Sequence, residues 1–129
     1  MRCFPALILF IFVCGCGARQ SDIVGTWTTN PNSGPDLWDR FTFNADGTLV
    51  WKWHYKSKKS PDLDNDSEQK GTYKVNGSTI ELDLGPEIKS NPRYKPGPAE
   101  KNSAKITWVS KDELVFNYPN GTPSFYRVK

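Results

Sequence analysis

From about residue 23 onward, apolar and polar residues alternate with a period of two. Phe41 and Phe43 flank Thr42, and Leu49, Trp51, Trp53 and Tyr55 flank Val50, Lys52 and His54. Tyr73 and Val75 flank Lys74, while Ile80, Leu82 and Leu84 flank Glu81 and Asp83. Ile106 and Trp108 flank Thr107, and Leu114, Phe116 and Tyr118 flank Val115 and Asn117. Period two with one apolar face marks half-buried antiparallel strands, and nowhere after the N-terminus do apolar residues keep helical spacing for a dozen positions. Asn44-Ala-Asp-Gly47, Asn76-Gly77 and Asn120-Gly121 are hairpin turn sequences, and Ser110-Lys-Asp112 is a weaker one. Reading outward from these turns predicts eight strands over about 23–29, 38–44, 47–55, 70–76, 78–84, 103–109, 112–118 and 124–129. Short turns make sequential strands neighbours, so the predicted fold class is all-β, an antiparallel up-and-down meander. Eight strands is also the number at which such a meander closes into a small barrel; an open, curled sheet fits the same pattern.

Two connections are long. Residues 56–69 are crowded with Lys, Asp and Ser, and 85–102 carry Pro86, Pro92, Pro96 and Pro98 among Gly, Lys and Asn. Prolines remove ladder donors and dense charge resists burial, so both read as mobile surface loops, where binding specificity tends to sit.

The N-terminus departs from this pattern. Arg2 precedes an apolar run from Phe4 to Val13, interrupted only by Pro5, and small residues lead into a cysteine at Val13-Cys-Gly-Cys16. The order is that of a secretory signal, and the run is shorter than the roughly 18 residues a spanning helix needs. Val-Cys-Gly-Cys resembles the lipobox of bacterial lipoproteins, with Cys14 standing where that family usually has Ala, Ser or Thr. The resemblance implies a signal peptide at 1–15 and acylation of Cys16, which would become the first mature residue. It also implies a tether at 16–22 and a domain at 23–129. The alternative is an ordinary signal peptide that happens to end near a cysteine.

Removing 1–15 takes Cys3 and Cys14 and leaves Cys16 as the one cysteine, so a lipidated chain forms no disulfide. The domain then depends on a packed core, which one domain of this length can build from its many aromatics. Loss of Arg2 lowers the formal charge from +3, leaving the basic residues two in excess of the acidic ones. That balance is too mild to argue for a nucleic-acid partner. Gly17 is not the Asp that resembles an inner-membrane retention signal, which favours an outer-membrane or cell-surface location in the bacterial envelope.

Ile23-Val-Gly-Thr-Trp27 places Gly-x-Trp at the start of the meander. Phe41-Thr-Phe-Asn-Ala-Asp-Gly-Thr48, Gly71-Thr-Tyr73 and Ile80-Glu-Leu82 follow it. This set resembles small lipocalin-like (calycin-type) domains. The resemblance implies that Gly25 permits close approach at the barrel bottom, Trp27 plugs the closed end, and Arg127 packs over the Trp27 ring. The chain is shorter than the secreted lipocalins and shows no sign of their C-terminal helix, which argues against a deep cavity.

Trp51, Trp53 and Tyr55 share one face of one strand. Turned inward, with Trp38, Trp108 and Phe116, they either line a pocket for a small apolar or amphiphilic ligand or simply fill a narrow barrel. His54, the single histidine, falls on the opposite face with no recognisable carboxylate or nucleophile beside it. Asp62-Leu-Asp-Asn-Asp-Ser-Glu68 looks superficially like a calcium loop. Ser67 and Tyr73 occupy the positions where an EF-hand needs Gly and Glu, and no transition-metal ligand set is present, so no metal and no cofactor is expected. No nucleophile–base pair or phosphate-cradling loop is legible, and the chain reads as non-catalytic. Two functions follow as expectations: a lipid-anchored protein binding a small ligand at the barrel mouth, or a protein-interaction module presenting its loops on a solid barrel.

Overall fold

The computed structural model describes residues 19–129, so the leader reading at 1–15 and the acylation reading at Cys16 lie outside the described residues. A short helix, α1 (Gln20–Ile23), precedes β1 (Gly25–Thr28), β2 (Leu37–Phe43), β3 (Thr48–Tyr55) and β4 (Asn65–Asn76). After these come β5 (Thr79–Leu84), β6 (Ile88–Lys89), β7 (Glu100–Ser110), β8 (Glu113–Asn117) and β9 (Ser124–Arg127). All recorded strand pairs are antiparallel, and the β3–β4 and β1–β9 pairings close the meander into an eight-stranded barrel. The two-residue β6 stands outside that ring. It continues the line of β5 along the edge of β4, after Gly85 interrupts the ladder. The all-β antiparallel architecture is the one the alternation predicts, and of the two forms that fitted it, closed barrel and open sheet, the chain adopts the closed barrel.

Register fixes which side chains share the interior, since directly opposed residues project to the same face. Leu49, Trp51, Trp53 and Tyr55 of β3 stand opposite Gly71, Gln69, Ser67 and Asn65 of β4. On the other flank they meet Phe43, Phe41, Asp39 and Leu37 of β2. The interior thus divides along its length.

Toward the end carrying α1 and the tight turns, the barrel is packed with Trp27, Phe43, Leu49, Ile80 and Leu114, all essentially buried. Phe43 meets Tyr73 edge-on at 5.0 Å, and the Tyr73 hydroxyl donates to the Asn44 carbonyl at 2.7 Å. Trp27 Nε1 donates to the Ile23 carbonyl at 2.8 Å, which seats α1 as the plug of this end. The Arg127 guanidinium lies 4.2 Å from the Trp27 ring centre and donates to the carbonyls of Val24, Asp22 and Lys111. A cation over an indole face contributes about 0.5–2 kcal/mol. Gly25 has φ of 135°, and a Cβ there would lie 2.8 Å from Arg127 Nη1, so both conformation and space require glycine.

The largest departures from the predicted bounds fall at the starts of β1, β4 and β7. The expected first strand, 23–29, begins only at Gly25, and Gln20–Ile23 is helical rather than tether or strand. β4 starts at Asn65 instead of 70, and β7 at Glu100 instead of 103. The early part of β4 escaped notice because its inward residues, Asn65, Ser67 and Gln69, are polar, yet each is less than a tenth exposed. The alternation of burial is strict there; only the alternation of hydrophobicity fails.

Candidate ligand site at the open end

Opposite the tight turns, four connections surround the barrel mouth: 29–36, 56–64, 85–99 and 118–123. The aromatic face of β3 leads up to this mouth. Trp51 stacks on Phe41 at 5.4 Å, and Trp53 stacks on Tyr55 at 6.0 Å, both pairs within 12° of parallel. Trp51 Nε1 is buried and has no hydrogen-bond acceptor among the described residues. An unmade indole bond costs on the order of 1–3 kcal/mol, so the barrel interior retains one polar demand at this level.

Beside the aromatics runs the polar file of β4. Asn65 Nδ2 donates to Ser67 Oγ at 2.9 Å, and Gln69 Nε2 donates to the Gly85 carbonyl at 3.1 Å. Lys89, opposite Ser67, turns its amine inward and donates to Ser67 Oγ at 3.2 Å. The same amine pairs with Glu87 and lies 5.9 Å from the ring centres of both Trp53 and Tyr94. Glu87 Oε1 is buried with no hydrogen bond of good geometry and is held by this ion pair. The Lys89 and Glu87 side chains are 16% and 14% exposed, so the pair sits in the upper interior rather than in bulk water.

The segment 85–99 is fastened to its neighbour by side chains, and β6 together with the start of β4 falls in the two stretches read as surface loops unable to join a ladder. Asn91 Nδ2 donates to the carbonyls of Asp62 and Asp64, and the Tyr94 hydroxyl donates to the Leu63 carbonyl at 2.9 Å. Ser90 N–H donates to the Asp66 carbonyl, and Asp66 N–H donates to Ser90 Oγ, each at 2.8 Å. Together these make one strap across part of the mouth.

The remaining part of the rim holds a cleft of about 650 Å³ between 34–37 and 55–63. Its apolar wall is Pro35, Leu37, Tyr55 and Leu63, with Leu37 44% exposed. Lys56, Lys58 and Lys59 stand around it, with Asp36 as the acidic member. Tyr55 is shared between this cleft and the stacked pair below, so the cleft is continuous with the aromatic face of β3. Just after β8, the Tyr118 hydroxyl has its pKa pushed up to about 12, chiefly by burial and secondarily by the Glu100 carboxylate.

The six expected pocket residues separate into three groups. Trp51, Trp53 and Tyr55 line the interior below the rim, as β3 alternation requires. Trp108 and Phe116 also face inward but belong to the packed core, Trp108 against Trp27 at 5.9 Å and Phe116 against Phe125 at 4.5 Å. Trp38 does not face inward at all. It stands opposite His54 on the outer face and stacks on that ring at 5.3 Å.

His54 in turn finds the carboxylate that sequence spacing did not reveal. Cross-strand register places Asp66 opposite it, with Nδ1 and Oδ1 2.5 Å apart. An outer cleft of about 440 Å³ adjoins this group, between Trp38, Lys52, Glu68 and Ile88. Among the described residues there is no cluster of His, Cys, Asp and Glu able to hold a metal ion, and no helix long and apolar enough to cross a membrane.

No family model matches the chain, and no curated protein matches its sequence. Among solved structures, the chain is similar to an uncharacterized protein from Bacteroides eggerthii determined by crystallography. The match has a TM-score of 0.52 at 16% identity and covers 81% of this chain and 98% of that one. At that identity the likeness concerns the fold alone.

Proposed function

We propose that the protein is a non-catalytic, lipid-anchored component of the bacterial cell envelope that binds a small amphiphilic molecule at the open rim of its barrel. The observation carrying this reading is the rim cleft, where an apolar wall of Leu37, Tyr55 and Leu63 meets the amines of Lys56, Lys58 and Lys59. An apolar tail gains about 0.8 kcal/mol for each methylene it buries, and a polar head group beside the lysines stays near water. The rim is a better seat than the interior below it, where the Lys89–Glu87 pair and the polar file of β4 already stand. The anchor rests on the lipobox resemblance of Val13-Cys-Gly-Cys16. Two or more acyl chains give stable membrane attachment, whereas one does not.

Titration of tryptophan fluorescence with medium-chain fatty acids tests the ligand reading, because Trp53 lies directly under Tyr55. A saturable change is expected, weakened at least several-fold by Leu37→Asp; no saturable change would end the reading. Cys16→Ser is expected to release the protein from membranes, and unchanged retention would remove the anchor.

A protein-interaction role is the second reading, favoured by Ile88, which is 64% exposed on the short β6 beside the outer cleft. A barrel that binds no amphiphile yet loses a partner on Ile88→Asp would select it.

A further inference from the structure

We infer that the closed end of the barrel faces the anchoring membrane and the rim cleft faces away from it, so that the cleft takes amphiphiles from the aqueous side. The inference rests on the Cys16 anchor proposed above and on the way α1 is held at the closed end. Arg19 caps α1, its N–H donating to Asp22 Oδ2 at 2.9 Å. The helix is pinned to the closed end through the carbonyls of Asp22, Ile23 and Val24, which accept from Arg127 and Trp27. The exit point of the chain is therefore a fixed place on the barrel.

From Cys16 to Arg19 there are only three virtual bonds, a reach of about 11 Å even when fully extended. β4, with 12 residues, would rise roughly 30 Å along the barrel axis if tilted by about 40°. A tether of that reach cannot carry around to the far end, so the rim cannot turn onto the bilayer that holds the acyl chains. The barrel is free to lean, but not to invert.

At the closed end the β7–β8 turn suits a lipid surface, while the exposed carboxylates of Asp22 and Asp46 on α1 and the β2–β3 turn do not. Val109, 59% exposed, is one of the large apolar side chains left open to solvent, and it stands near the β7–β8 turn where Lys111 is also exposed. Asp112 beside them is occupied by Arg127 and Lys129, at 3.4 and 3.7 Å. The same end carries Arg19, exposed, one step from the tether.

The test uses the processed lipoprotein reconstituted in vesicles containing a lipid with a nitroxide quencher on its head group. Acylated Cys16 has no free thiol, so a fluorophore is placed on Ala45→Cys, exposed in the β2–β3 turn, or on Asn120→Cys, exposed in the β8–β9 connection. Quenching several-fold stronger at 45 than at 120 is expected. Equal quenching, or stronger quenching at 120, overturns the orientation while flotation with the vesicles leaves the anchor intact. Failure of the labelled proteins to float overturns the anchor itself, and the orientation falls with it.

Discussion

The two halves of the barrel share one sheet and one register but fill their interiors by different chemistry. In the closed half, Trp27, Phe43, Leu49, Ile80 and Leu114 pack against one another, and the polar groups that enter do so with partners supplied. In the open half, the inward file of β4 is Asn65, Ser67 and Gln69, joined by an ion pair from a connecting segment. A narrow barrel can be stabilised by apolar packing over part of its length and leave the rest to polar groups that hydrogen-bond each other. The closed half therefore carries most of the apolar packing, and the open half a polar, hydrogen-bonded interior.

That contrast is breakable. Trp27→Ala is expected to cost about 3–5 kcal/mol, since it empties the plug and strands the Arg127 guanidinium. Trp53→Ala, at the mouth, is expected to cost well under half as much; equal losses in urea denaturation would erase the distinction. Gly25→Ala comes next, at about 1–3 kcal/mol, because a side chain there is both strained and crowded by Arg127. Its loss should shrink when combined with Arg127→Ala, as a double-mutant cycle would report.

In the open half, Lys89→Met is expected to destabilise by about 1–3 kcal/mol by leaving the Glu87 charge without its partner. Adding Glu87→Gln should restore most of that; additive losses would mean that the pair is not coupled. The smallest expected effect is on pH dependence. Tyr118 titrates near 10 in the unfolded chain and at about 12 when folded, so the folded state holds its proton longer. Its contribution is fully present below pH 10 and is lost as pH rises from 10 through about 12. Tyr118→Phe should flatten that part of the stability profile.

The same contrast explains what could be read from the chain. β3 was legible because its inward residues are large and apolar at every second position, and β5 and β8 for the same reason. The first part of β4 was not, because a buried Asn, Ser and Gln look like loop residues until a partner strand is known. Trp38 was placed on the wrong face although a signal was present. Counting back by twos from Phe41 gives Asp39 and Leu37, which leaves Trp38 outside. The His54–Asp66 contact depends on register between strands 12 residues apart, and no local spacing encodes it. The rim cleft likewise forms from two connections that meet only when the ring closes. The fastened strap depends on Asn91 and Tyr94 finding carbonyls far along the chain.

Arg127 also sets an order of events. It is on β9, and the carbonyl of Val24 that it clasps lies 103 residues earlier. β1 has β2 on one side and must wait for β9 on the other, so the ring stays unsealed until β9 is in place. Contacts between such distant segments form slowly. A chain built this way stays open to rearrangement through most of its folding, and the ring locks only when its last strand docks.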